Sequence, residues 1–420
     1  MTASYTSLRS VRYPVRFAPE AQGSFVETPM DLTKYRAEFP AADRRIHLTH
    51  AGSSPLSLRA RSALEAWAAG AAGLADAGYE YDAPTTDPSD SSAPPYARSK
   101  ENASHVARRN AATLIGCRPS EVAFTSTTSE GVSFFAASLD WRVADNVVTA
   151  SNEFPANTYP WMNLQRRGVH VRMVNPTPEG RIAIDDLLAA CDSRTRVIAI
   201  SWVGYNTGFR IGLARLGGEC RKRRIRLFVD AIQGLGAFEM KAAEWGVAAA
   251  SAETHKWLLG TEGVAFLYVS KDFIGSLHPP VVGWRSVKNA DDFMTYDFTL
   301  ADSARRFEPG CLNMAGIVVA NAGMELLLEA GIPNVTARIK ELTDYLCRRL
   351  EEKKIQILSP RGESEWSGIV SFRAPGGDGP ALAARLKEQD IILTGRADFL
   401  RASPHFYNTE SDLDRVLSQL

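Results

Sequence analysis

The amino-acid sequence predicts an α/β protein built on a mostly parallel sheet, followed by a smaller α+β region. Three observations carry this. Between residues 100 and 270 helix-like and strand-like segments alternate, the pattern of a sheet with helices on both faces. VIAISWV (197–203) and RLFVD (226–230) are unbroken apolar runs with β-branched residues, which suit strands buried on both sides. After about residue 310 the texture changes to long helices followed by short strands.

The elements follow in order. Ala103, Val106, Ala107 and Leu114 mark one face of a helix that Gly116 ends. VAFT (122–125) reads as a strand, SEGVSFFAASL (129–139) as a helix, and VVTA (147–150) and VHVRMV (169–174) as strands. Later come helices near 314–330 and 334–353, strands at IQIL (355–358) and GIVSF (368–372), and helices near 380–389 and 411–420. The expected organisation is an N-terminal segment (1–45) packing with the small domain, a large domain (46–295) and a small C-terminal domain (296–420). DAPTTDPSDSSAPP (82–95) is rich in Pro, Ser and Asp and reads as a surface loop or a cover over a site.

The chain has 420 residues, room for more than one core-bearing domain. Hydrophobic residues make up 45% and charged residues 23%, the range of soluble globular proteins. Zero net charge removes the general electrostatic case for nucleic acid or an acidic membrane. No apolar run approaches the about 20 residues that span a bilayer. Cys117, Cys191, Cys220, Cys311 and Cys347 are scattered and form no CxxC pair, which argues against a disulfide framework or a metal site and for a reducing, cytoplasmic setting. Arg9, Arg12 and Arg16 make a basic leader without the apolar core of a secretion signal.

In an open parallel sheet, ligands bind beyond the carboxyl ends of the strands. Asp230 ends RLFVD. TSTTSEG (125–131) follows VAFT and opens a helix, a place for a phosphate on hydroxyls and backbone N–H groups. SNEFPANTYPW (151–161) puts Phe154 beyond VVTA, and VGYNTG (203–208) supplies Asn206. THKWLLG (254–260) holds Lys256. Each alone has an ordinary reading: an acid as a turn residue, a Ser/Thr cluster as a helix cap, a phenylalanine in the core, a solvated lysine. Together, in strand order, they match what pyridoxal 5′-phosphate needs. It needs an amine for a Schiff base, a carboxylate beside the pyridine nitrogen, a flat side chain against the ring and a phosphate cup. Lys256, Asp230, Phe154 and the Thr128/Ser129 turn supply these, and Gln233 can reach the phenolic oxygen.

From about residue 46 onward the chain resembles the class V aminotransferase superfamily, which includes cysteine desulfurases, kynureninase and isopenicillin N epimerase. DAIQGLG (230–236) and THKWLLGTEG (254–263) are the most specific matches, and FTSTTSEGVS, EFPANTYPW, RRFEPGCLN (305–313) and RASPHFYNT (401–409) follow in the family's order. The resemblance implies a pyridoxal-phosphate enzyme of fold type I with a seven-stranded, mostly parallel large domain, a small C-terminal domain, and a homodimer with shared active sites. It implies that Lys256 bonds the cofactor, Asp230 pairs with its ring nitrogen, and Gln233 meets the phenolic oxygen. Thr128, Ser129 and His255 would hold the phosphate, with Phe154 on the ring and Arg401 clamping the substrate α-carboxylate. Asn206 belongs to the expected cofactor set, and Cys311 stands where a threonine usually reaches the phosphate across the dimer. His50 and Ala51, in THAGSSP (49–55), together with Trp284 and Arg396, are further substrate-side candidates; Tyr205 and His405 are proton-donor candidates by position.

The departures from the family matter for the reaction. Desulfurases carry a nucleophilic cysteine shortly before the carboxylate-binding arginine, where this chain reads LTGRADFL (393–400) with no cysteine. Phe154 replaces a histidine frequent in desulfurases and cannot shuttle a proton. Glu253 replaces a phosphate-binding serine and is expected to point elsewhere. The expectation is therefore a lyase acting at Cβ of an amino acid, with a C–S bond as one candidate and Lys256 as the base at Cα. An aminotransferase or an epimerase is the alternative, and a cofactor-binding protein without turnover the more distant one.

Overall fold

The structure, a computed structural model, describes residues 32–72 and 103–420; the basic leader and the 82–95 segment lie outside them. A two-residue strand, Ile46–His47 (β1), precedes the strands of the main sheet: Val122–Thr125 (β2), Asn146–Ala150 (β3), His170–Val174 (β4), Thr195–Ser201 (β5), Arg226–Asp230 (β6), Ala249–Glu253 (β7) and Ala265–Val269 (β8). Their order is β2-β8-β7-β6-β5-β3-β4. β4, β3, β5, β6, β7 and β2 all run in one direction, and β8 alone, between β7 and β2, runs antiparallel to both its neighbours.

The apolar runs at 197–203 and 226–230 fall in the middle of this sheet, where both faces are covered. Alternate residues serve opposite faces. Ile198 and Ile200 enter one core, with Leu216, Cys220 and Met324. Val197 and Ala199 enter the other, with Phe135, Trp161 and Phe228. β4 lies at the edge, and its residues are exposed or half-exposed. β7 and β8 are strands the sequence reading did not name. β7 (AASAE) has small side chains of weak strand propensity. The fold uses them for close approach: helix Thr128–Ala137 comes near enough that a Cβ on Gly131 would sit 2.3 Å from Ser251 Oγ.

Helix Ala103–Ile115 ends at Gly116, whose φ of +73° suits glycine. Helix Met314–Ala330, beyond the expected boundary at 296, puts Ile317, Ala320 and Met324 into the first core. No single helix among the described residues is long and apolar enough to cross a membrane. Helix Ile332–Glu352 joins two cores: Val335 and Ile339 face the first, and Leu342, Leu346 and Leu350 face a C-terminal cluster.

That cluster packs under Val370–Arg373 (β9), Ile391–Ile392 (β10), Thr394–Arg396 (β11) and Phe399–Ala402 (β12). β11, β12 and β9 form an antiparallel sheet, and β10 pairs in parallel with β1. The expected strand at IQIL is not a continuous ladder. Two backbone bonds, Leu358 N–H to Ser371 O and Arg373 N–H to Gln356 O, hold it against β9, and one bridge pairs Ile357 with Phe372.

One buried ion pair fastens the RRFEPG segment to the sheet edge. Arg108 donates to both oxygens of Glu308, at 2.6 and 3.2 Å, and Glu308 Oε1 also accepts from the Phe124 amide at 2.9 Å. The Glu308 side chain is 0% exposed, and Arg285 Nη2, 3.9 Å from Oε2, adds a second positive charge to these donors.

Candidate active site

The parallel strands deliver their carboxyl ends to one side of the sheet. There lies a cleft of about 330 Å³, lined by Gly52, Thr128, Ser129, Phe154, Tyr205, Asp230, Gln233, Glu253, His255, Lys256, Arg396 and Arg401, with Ala51, Ala156, Ser201, Val203 and Ile232 between them.

Asp230 is the last residue of β6 and is 2% exposed. Its Oδ1 accepts from the Ile232 amide at 3.0 Å. Burial raises its carboxyl to about 6, against the pull of that amide and of Lys256. Lys256 sits just past β7, in the 254–264 connection between antiparallel β7 and β8. This connection is closed by Thr254 N–H to Val264 O, Gly260 N–H to Thr254 O and Leu259 N–H to Lys256 O. Gly236, at φ +98°, lets the DAIQGLG turn lie against it: a Cβ there would be 2.3 Å from Trp257 O. Burial lowers the Lys256 ammonium to about 8, outweighing Asp230, and Arg401 and Arg396 push it the same way. Its Nζ lies 5.8 Å from the Phe154 ring centroid.

Gln233 is fixed at both ends of its amide: Trp257 Nε1–H donates to Oε1 and Nε2 donates to Ala51 O, each at 2.9 Å. One N–H remains for a ligand. Thr128 and Ser129 begin helix Thr128–Ala137, with Thr127 as the cap accepting from the Glu130 amide at 3.1 Å. Thr128 Oγ1 accepts from the Glu253 amide at 2.9 Å, leaving its own hydrogen free. Glu253 turns to the Gly263 amide, 3.1 Å away, and to His255 Nδ1 at 3.3 Å. Burial pushes the Glu253 carboxyl up, but these partners and Lys256 prevail and leave it lowered.

Arg401, on β12, is 2% exposed. Its Nη1 donates to Tyr205 O at 2.6 Å and its Nη2 reaches Thr394 Oγ1 at 3.4 Å, while Nε is buried without a partner. Burial and the neighbouring Arg396 lower it to about 10. Glu153, one residue before Phe154, was missed in the sequence reading, although it follows a strand end just as Asp230 does. It accepts from the Ser201 amide at 2.8 Å and from Asn157 Nδ2 at 2.9 Å, and burial raises it to about 7.

Not every candidate reaches the cleft. His50 is 0% exposed, and its ring nitrogens are taken by Ser403 O (2.9 Å) and Tyr407 Oη (2.7 Å), so it braces the wall behind Ala51. His405 is equally buried: Nδ1 accepts from the Phe406 amide and Nε2 meets Trp257 O. Asn206 does not line the cleft; its carbonyl accepts from Ser371 Oγ. Cys311 lines a separate hollow of about 150 Å³ beside Ser126 and Glu308, and Trp284 lies on the surface, 41% exposed.

The cleft fits pyridoxal 5′-phosphate in its chemistry. It has one lysine lowered toward neutrality, a buried acid facing it, hydroxyls at a helix N-terminus, and a buried guanidinium lacking an anion. Comparison with known proteins gives the class. The family model described as "Aminotransferase class-V" matches residues 90–416, and the chain belongs to that family of pyridoxal-phosphate-dependent enzymes. Among curated relatives, an uncharacterized aminotransferase, YcbU, of Bacillus subtilis is 28% identical over 75% of this chain and 82% of its own. Isopenicillin N epimerase of Amycolatopsis lactamdurans is 27% identical over 75% of this chain and 83% of its own. Among solved structures, a cysteine desulfurase of Thermococcus onnurineus superposes with a TM-score of 0.81 at 20% identity, covering 92% of this chain and 96% of the other, a likeness of fold.

Proposed function

We propose that the protein is a lyase that removes a substituent from Cβ of a small L-amino acid, with a carbon–sulfur bond as one candidate. One observation carries this reading: Lys256 is the lone lysine among the described residues lining the cleft, and the Phe154 side chain, its ring 5.8 Å from Lys256 Nζ, has no exchangeable proton of its own. When bound, pyridoxal 5′-phosphate supplies an electron sink for negative charge at the substrate Cα. Thr128, Ser129 and His255 would hold its phosphate, Asp230 its ring nitrogen, Gln233 its phenolic oxygen and Phe154 its ring. Arg401 would orient the substrate α-carboxylate through Nε and the free hydrogens of its fork. Lys256 Nζ, lowered to about 8, takes the Cα proton and then, as ammonium, protonates the departing group. This needs no cysteine. The segment before Arg401 is a tight hairpin, β11–β12, turning through Ala397 and Asp398, with no thiol to accept sulfur.

An aminotransferase or epimerase is the alternative, supported by the names of the relatives and by Tyr205, whose phenol lines the cleft as a second proton carrier. The protein would act as a cytoplasmic homodimer. Exposed Val281, Val282, Trp284, Phe293, Tyr296 and Phe298 offer an apolar face for a second copy, and Cys311 and Trp284 would approach the partner's cleft across it.

The test is a visible absorbance spectrum of wild type and Lys256→Ala with added cofactor, followed by a panel of L-amino acids and cysteine S-conjugates. The lyase reading expects a band in wild type alone and release of an α-keto acid without an amino acceptor. A requirement for an acceptor would make the protein an aminotransferase; inversion at Cα alone would make it an epimerase.

A further inference from the structure

Arg401 and Arg396 enter the cleft from the same hairpin. In β11–β12 Thr394 pairs with Arg401 and Arg396 with Phe399. Residues directly opposite share a face, as do residues two apart, so Arg396 and Arg401 are diagonal neighbours on one face, about 7–8 Å apart at their stems. The hairpin is held firmly. Helix Gly379–Lys387 lies so close that a Cβ on Gly395 would be 2.1 Å from Gly379 O.

Arg396 has no acid. Among the described residues no carboxylate pairs with it, and its Nε is buried without a hydrogen-bond partner. Its guanidinium lies 5.4 Å from the Tyr205 ring centroid, which orients it but does not neutralise it. The acid nearest in sequence, Asp398, is taken by Arg373. The two acids that line the cleft are also engaged: Glu253 with His255 and Gly263, Asp230 with Ile232 and the field of Lys256. A second guanidinium beside Arg401, uncompensated and facing the same space, is costly unless a ligand brings the missing charge.

We propose that Arg396 binds a second oxyanion of the substrate, so that the cleft takes L-amino acids whose side chain carries a carboxylate or a similar group. This rests on the reading of the cleft as the substrate pocket of a pyridoxal-phosphate enzyme. Arg401 takes the α-carboxylate and Arg396 the distal anion; a planar fork suits either.

The experiment is calorimetric titration of the cofactor-loaded protein with glutarate and with butyrate, which lack an amine and differ by one carboxylate. In wild type glutarate binds about 10- to 100-fold more tightly, the usual worth of a charged hydrogen-bonded contact. In Arg396→Gln, checked for folding by circular dichroism, the two affinities converge, and Arg396→Lys keeps part of the preference. Absent glutarate binding, equal affinities in wild type, or a preference that survives Arg396→Gln would each overturn the proposal. Equal affinities that both fall in Arg396→Gln would instead make Arg396 a second clamp on the α-carboxylate. Failure of the cofactor reading shows separately, as a protein that gains no visible band with added pyridoxal 5′-phosphate.

Discussion

At the carboxyl ends of β6 and β7, Asp230 and Lys256 are buried together, and each offsets part of the other's cost. Across the cleft, Arg396 and Arg401 project from the β11–β12 hairpin side by side, and no acid among the described residues offsets either. Elsewhere the fold shows that it can neutralise a buried charge fully: Glu308 has Arg108 on both oxygens. The contrast separates structure from function. A charge whose partners all come from the chain holds the fold together. A charge left short of partners in a cleft is kept for a ligand. The sheet wall is poised to tune a bound cofactor, and the hairpin wall is poised to seize an anion.

The comparison can be broken at either wall. Asp230→Asn is expected to lower turnover by about 10²- to 10³-fold, the scale of losing one aligned charge, while calorimetric binding of glutarate stays close to wild type. Arg401→Gln is expected to do the reverse: the visible cofactor band persists, and KM for the amino-acid substrate rises about 10- to 100-fold. Equal damage to chemistry and binding from both variants would dissolve the division between the walls.

The pKa of Lys256 sharpens the account of the sheet wall. Only the neutral amine can bond an aldehyde. Uptake of cofactor by the apo-protein, followed by stopped-flow absorbance, should rise about tenfold per pH unit below about 8 and level off above it. A plateau near the ordinary lysine value would mean that burial does not act on this amine. The smallest effect belongs to Glu153, raised by burial to about 7 from 4.5. The folded state holds this proton more tightly than the unfolded chain, so stability falls as pH rises from about 4.5 to about 7. Glu153→Gln removes that titration. Urea unfolding of the apo-protein should show the variant gaining on wild type across this window and not beyond it.

The cofactor half of the cleft was legible because it depends on local grammar. Asp230 and Lys256 follow strand ends, Thr128 and Ser129 open a helix, and the glycines of DAIQGLG mark a turn that needs them. Strand ends, caps and turns are set by residues within a few positions of each other, and a parallel sheet brings its strand ends to one side whatever the loops do. Glu153 was overlooked although the same rule covers it, because Phe154 beside it drew the assignment. β7 was overlooked because its alanines answer to the helix that packs on them and not to strand propensity.

By itself, then, the sequence determined the α/β class, the central strands and the order of the cofactor residues. Periodicity, capping and burial of apolar runs act over short stretches of chain. Only the tertiary structure decided which polar groups were already satisfied. It removed His50 and His405 from the cleft by giving their ring nitrogens partners 353 and 148 residues away, and it left Arg396 without an acid by giving the one nearest in sequence, Asp398, to Arg373. Whether a charge is spare depends on every group within a few ångströms of it, and those groups come from across the whole chain.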